Sequence, residues 1–143
     1  MPKLQEYQGK KLLRNYGIPV PDGDVASTAK KAREIATKLQ KAVVIKAQVG
    51  LTGRLQAGGI KFADDADEAE TAAAELIGKE IKGLKVEKVL VEERLLVKEE
   101  FYASVVVNDS WRVKGPVLMF STKGGTGIEK ITAQFPGKVT RMN

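Results

Sequence analysis

The sequence predicts an α+β fold, layers of helix on sheet, and three observations carry that expectation. Apolar residues recur at helical spacing in three stretches of the first half. β-branched runs stand between those stretches, and three more β-rich stretches follow with short connections. Short connections suit adjacent antiparallel strands, so the order argues against a doubly wound parallel sheet, which needs a long crossover after each strand.

Leu12, Leu13 and Tyr16 stand at helical spacing, and Gly17, Pro19 and Pro21 then break the pattern, so a first helix is expected to end near Tyr16. A short strand is expected at Asp24 to Ala26. Ser27 or Thr28 can cap a second helix, whose Ala32, Ile35, Ala36 and Leu39 fall at i, i+3, i+4 and i+7. The strand "AVVIKAQV" follows, and after "GGIKFA" a third helix repeats the pattern with Ala69, Ala72, Ala73, Leu76 and Ile77. Acidic residues mark its first turn and Gly78 its end. Both of these later helices are expected to cover a core. "VEKVLVEE", "FYASVVV" and "KGPVLMFST" then read as neighbouring strands of one antiparallel sheet. The last stretch, "KGGTGIEKITAQFPGKVTRMN", has a glycine-rich turn and no clear period.

With 143 residues, 43% of them hydrophobic, the chain has the size and apolar content of a globular domain with a real core. Its net charge of +6 favours anionic partners. The charges are nevertheless interleaved, as in "KKAREIATK" and "DDADEAE", which marks solvated helix faces. There is no cysteine, so disulfides, thiolate zinc sites and a cysteine nucleophile are excluded, in keeping with a reducing compartment. There is also no histidine, so a mechanism that needs imidazole must take it from another chain. The start lacks the apolar core of a secretory signal, and no run approaches the roughly twenty apolar residues that span a bilayer. The expectation is a soluble, cytosolic protein with no membrane partner.

The stretch "VVIKAQVGLTGRLQAGGIKF", residues 43–62, is the most informative. It sets Lys46 near the end of a β-branched run, then a glycine-bearing loop with Arg54, then a second apolar run, as a strand, loop and strand hairpin. Two readings stand. A strand-end ammonium, a glycine that lets backbone N–H groups approach and a guanidinium fork would suit a polyphosphate. Alternatively the glycines only permit the turn, since the spacing matches neither the Walker loop nor the dinucleotide fingerprint. On either reading Lys46 is expected to contribute little to the core.

Four separated stretches, "LQEYQGKKLLRNYGIPVP", "VVIKAQVGLTGRLQAGGIK", "VLVEERLLVKEEFYASVVV" and "STKGGTGIEKI", closely resemble in order and spacing the N-terminal ATP-grasp region of succinyl-CoA synthetase β subunits, ADP- or GDP-forming. Malate- and citrate-type CoA ligase β subunits share the pattern. The resemblance implies an α+β ATP-grasp fold with mixed sheets and helices packed on one face. ATP or GTP would then lie between two α+β subdomains. By position, Lys46 corresponds to the phosphate lysine and Gly53, Arg54 and Leu55 to the hairpin tip over the phosphates. Glu92 falls where the chain passes the adenine, Leu95 in the same connecting segment, and Glu100 where a carboxylate accepts from the ribose hydroxyls. From composition alone, the glutamates of this region, alternating with lysine and arginine, read as a solvated edge.

The implied reaction converts succinate, CoA and ATP or GTP into succinyl-CoA, the nucleoside diphosphate and phosphate. It runs through an acyl phosphate and a phosphohistidine that the resemblance places on an α subunit. The ligands of Mg²⁺ and the CoA-ligase domain fall beyond Asn143, so residues 1–143 are expected to be the N-terminal ATP-grasp region of a longer β subunit, inactive alone. One departure stands out: the family's Gly-Gly-Arg-Gly-Lys tip reads Thr52-Gly53-Arg54-Leu55-Gln56 here, with two glycines and one cation fewer. A non-catalytic ATP-grasp scaffold is therefore an alternative. A nucleic-acid-binding module is a remote one, because Phe101, Tyr102 and Trp111 sit in apolar strands where core packing suits them better than base stacking.

Overall fold

The computed structural model describes residues 4–50, 53–110, 113–122, 124 and 139–142. They form two compact units, Met1–Leu95 and Leu96–Asn143.

In the first unit, α1 (Glu6–Asn15) ends at Tyr16. It precedes β1 (Gly23–Ala26), α2 (Ala29–Leu39), β2 (Val43–Ala47), β3 (Ile60–Ala63), α3 (Ala66–Leu76) and β6 (Val89–Glu93). Local chemistry sets the boundaries, at Thr28 as expected. Thr28 caps α2 by accepting from the Lys31 N–H at 3.2 Å, and Asp65 caps α3 by accepting from the Glu68 N–H at 2.8 Å. α2 stops at Gln40, which takes the left-handed conformation with φ 54°.

These strands make a four-stranded antiparallel sheet in the order β1-β6-β2-β3. α2 connects β1 to β2 and α3 connects β3 to β6, so each helix links two parallel strands with a third strand between them. α2 and α3 pack against each other and against the sheet. Strand alternation divides the side chains. Val43, Ile45, Ala47, Val89 and Val91 face the helices and close a core with Ala32, Ile35, Ala69, Ala73 and Leu76. Full burial of a side chain such as Ile45 or Leu76 is worth about 1.5–3 kcal/mol. The alternate positions, Val44, Lys46, Leu90 and Glu92, point to the opposite face, and the register pairs Lys46 with Leu90 and Val44 with Glu92.

One expectation is corrected. "VLVEE" does not join the later β-rich stretches in one sheet; as β6 it lies between β1 and β2. The reason is burial: Val89, Leu90, Val91 and Glu92 are all buried, as a strand covered on both faces must be, and β6 has that cover between β1 and β2. A two-stranded ribbon of β4 (Glu80–Ile81) and β5 (Leu84–Lys85) was not foreseen. Its turn, Lys82-Gly83, has φ of 49° and 79°, the paired positive values of a two-residue hairpin.

The second unit holds β7 (Tyr102–Ser110), β8 (Val113–Ser121) and β9 (Val139–Met142), antiparallel in that order. Its register aligns Ala103, Val105, Val107, Pro116, Leu118 and Phe120 on one face, and all six are exposed. Phe101 is also exposed and stacks on Phe120 at 6.0 Å between centroids, so it does not pack in a core as expected. Trp111 and most of the final glycine-rich stretch lie outside the described residues. No helix among the described residues is long and apolar enough to cross a membrane.

The β1–β6 pair leaves no room at Gly23, where an added Cβ would stand 2.4 Å from the Val91 carbonyl oxygen and 2.5 Å from Glu92 Cβ. Gly23→Ala is expected to lower stability by about 1–3 kcal/mol, the range of overpacked sites, read from the urea midpoint.

Candidate functional site

The face opposite α2 and α3 carries a cluster of five charges. Glu92, only 2% exposed, accepts from Lys46 Nζ on Oε1 and from Lys10 Nζ on Oε2, both at 2.5 Å. Glu6 on α1 receives Lys46 Nζ at 3.1 Å and Lys10 Nζ at 3.0 Å on Oε1, and pairs with Arg54 through Oε2. Three cations thus meet two carboxylates, leaving one net positive charge.

Each member is positioned by its own element. Lys46 and Glu92 project from neighbouring strands at alternate positions of one face. Glu6 and Lys10 stand four residues apart on α1, hence on one side of the helix. Arg54 comes from the loop after β2. There Gly53 and Gly58 both adopt φ of 70°, Gly59 N–H donates to the Arg54 carbonyl at 2.7 Å, and the Arg54 guanidinium returns to donate to the Ala47 carbonyl at 2.8 Å. Buried Gln48 fastens α1 alongside: its Oε1 accepts from the Tyr7 N–H at 3.2 Å, and its backbone oxygen accepts from Gln5 Nε2 at 3.1 Å. A cleft of about 420 Å³ opens next to the cluster, lined among others by Tyr7, Lys10, Arg14, Val25, Leu90 and Glu92.

Burial pulls the Glu6 carboxyl towards a higher pKa. The Arg54 hydrogen bond and the charges of Lys46 and Lys10 overcome that pull and hold it at about 2. Burial likewise disfavours the charged Lys46, but the hydrogen bond to Glu92 and the charge of Glu6 raise its pKa above the usual lysine value. Glu6 and Lys46 are therefore both ionised throughout the neutral range.

The structure brings together Lys46, Arg54 and Glu92. Lys46 departs from expectation, for it is bound to a buried carboxylate and does contribute to the interior. Glu92 is not part of a solvated edge. Gly53 and Leu55 flank Arg54 in the loop. Leu55 is 52% exposed and is not among the positive-φ residues, so its side chain brings no left-handed strain. Leu95 is 53% exposed at the end of the first unit. Glu100 lies in the second unit, exposed, its carbonyl accepting from the Gly124 N–H at 2.8 Å. No hydrogen bond or ion pair among the described residues links Leu95 to the cluster. Sequence reasoning missed Glu6 and Lys10. Their i, i+4 spacing in "EYQGK" was visible, but their meeting with residues 46, 54 and 92 depends on where α1 docks. No group of three or more His, Cys, Asp or Glu among the described residues could hold a metal ion.

A strand lysine and a loop arginine meet on one sheet face beside a left-handed glycine, and the ATP-grasp domain family model matches residues 3–143. The chain belongs to the ATP-grasp domain family. It is 47% identical over 139 residues to the succinate–CoA ligase [GDP-forming] subunit beta of Thermus thermophilus, covering 97% of this chain and 36% of that protein. It is 42% identical over 141 residues to the ADP-forming subunit beta of Methanocaldococcus jannaschii, covering 99% and 38%. The chain thus spans little more than a third of the length of these relatives. Among solved structures, the dinucleotide-forming acetyl-coenzyme A synthetase 1 of Ca. Korarchaeum cryptofilum superposes with TM-score 0.79 at 22% identity, over 97% of this chain and 59% of that one. Phosphoribosylamine–glycine ligase of Thermotoga maritima gives 0.53 at 26% identity, over 85% and 32%. The α+β ATP-grasp expectation therefore holds.

Two predictions follow from the cluster's electrostatics. The folded pKa of Glu6 lies below the ordinary 4.5, so the stability it brings is present above that value and is lost as pH falls towards 2. Denaturant midpoints measured from pH 6 to 2.5 are expected to fall less steeply in Glu6→Gln than in the parent. Lys46→Ala leaves buried Glu92 with Lys10 as its one cation among the described residues. Its expected loss is about 2–3 kcal/mol by urea unfolding, less than the roughly 3–5 kcal/mol of a fully orphaned buried charge.

Proposed function

We propose that this chain is the nucleotide-binding part of an acyl-CoA synthetase β subunit, of the succinate type. ATP or GTP places its phosphates at Lys46, Gly53 and Arg54, beneath a loop tip that includes Leu55. Glu92 lies near the base with its carboxylate committed to Lys46 and Lys10, Leu95 follows in the same segment, and Glu100 accepts from the ribose hydroxyls. Mg²⁺, when bound, would supply positive charge that screens the phosphates. An α subunit carrying the phosphohistidine completes the reaction of succinate, CoA and nucleoside triphosphate.

The observation that carries the reading is convergence. Lys46 from a strand and Arg54 from a loop meet on a single carboxylate, Glu6, in a half-buried setting, so two cations are already assembled where one anionic group bridges them. Assembly before binding lowers the cost of ordering these long side chains around a phosphate. The names of the relatives support the choice of reaction. In this chain, the residues at hand do two things: the cations bind and orient the polyphosphate, and the sheet face shields one side of it from water.

The altered tip favours a second reading, a scaffold that no longer holds nucleotide, because Leu55 and Gln56 stand where a glycine and a lysine are expected. Titration calorimetry with ATP and GTP separates the two. On the proposed function the parent binds, Lys46→Ala binds at least about tenfold more weakly, as loss of a hydrogen bond to a charged group implies, and Gln56→Lys binds more tightly by a margin that shrinks as salt is raised. Heat absent from every variant supports the scaffold.

A further inference from the structure

The contacts of α1 have a character that sets it apart from α2 and α3. No residue of α1 is buried; its Leu12 and Leu13 are 48% and 44% exposed, and Tyr16 at its C-terminal end is 81% exposed. What fastens it to the sheet is polar: Glu6 to Lys46 and Arg54, Lys10 to Glu92, and the Gln5 and Tyr7 contacts to Gln48. A helix held in this way lacks the apolar seal that keeps a helix docked when one ion pair is exchanged for another.

Glu6 sits in a position that an incoming phosphate would need. Its Oε1 is 3.1 Å from Lys46 Nζ, and its Oε2 is paired with Arg54. A carboxylate bridging a lysine and an arginine occupies the donors that a phosphoryl group would use, and two anions cannot share those cations at contact distance without strong repulsion.

We infer that Glu6 is the resident counter-anion of Lys46 and Arg54, that a polyphosphate displaces it, and that displacement loosens α1 from the sheet. This rests on the reading of Lys46 and Arg54 as phosphate-binding cations. Lys10 stays on Glu92 in this exchange, which keeps the buried carboxylate paired while the outer one is released. Glu6 sets nucleotide affinity by competition and touches no nucleotide atom.

The test combines ATP titrations of the 143-residue chain, Glu6→Gln and Glu6→Asp with amide hydrogen exchange across residues 6–15 of the parent. Glu6→Gln removes the competing charge. Glu6→Asp keeps the charge but shortens it by one methylene, so it covers the case in which Glu6→Gln does not fold. Both variants are expected to bind ATP roughly three- to tenfold more tightly than the parent, and parent α1 amides to exchange faster when ATP is added. ATP binding by the parent that is unchanged or weakened in the folded variants overturns the inference while leaving the nucleotide site intact. Slower α1 exchange with ATP bound overturns it without any variant. No ATP binding in the parent or in either variant overturns the nucleotide reading, and the inference with it.

Discussion

The pairing of Lys46 with Glu92 is the constraint from which the rest of the site follows. A glutamate 2% exposed on an inner strand of a sheet is costly unless cations reach it, and it has two, Lys46 beside it and Lys10 above it. That requirement brings α1 onto the face the other helices leave uncovered. α1 then presents Glu6, and Glu6 in turn holds Arg54 and with it the loop after β2. A single buried charge therefore organises one helix, one loop and two strands that are distant in sequence.

Local elements were largely legible because their signals are local. Thr28 and Gly78 mark helix ends by chemistry that works within one turn, and the stripes Ala32, Ile35, Ala36 and Ala69, Ala72, Ala73, Leu76 name the faces that became the core. Strand partnership was less legible. "VLVEE" carries the same β signal whether it pairs with β7 or with β2, and only the burial of both its faces decides, which is a property of the assembled sheet. The β4–β5 ribbon, two residues a side, is too short to show a period.

The candidate site was legible in the same uneven way. Lys46 and Arg54 stood out because a lysine, a glycine and an arginine lie close together in the chain. Glu6 and Lys10 did not, since an i, i+4 Glu–Lys pair occurs on many solvated helices and acquires meaning here only through contacts 40 to 82 residues away in sequence. The glutamates after residue 90 looked alike on paper. In the fold they part company: Glu92 is buried, Glu93 pairs with Lys41 at the margin, and Glu100 is exposed in the other unit.

Two features of the cluster suit an ATP-grasp domain in different ways. Its one excess positive charge attracts a polyanion, and its internal carboxylates keep three cations from repelling one another while none is bound. The inferred exchange leaves the buried carboxylate paired, because the buried partner, Glu92, and the inferred exchangeable partner, Glu6, are different residues. The most direct measurement of this account is a crystal structure of the chain grown with ATP. The account requires phosphate oxygens within hydrogen-bond distance of Lys46 Nζ and of the Arg54 guanidinium, with Glu92 still paired to Lys10. A polyphosphate seated elsewhere, with Glu6 still bridging Lys46 and Arg54, would contradict it.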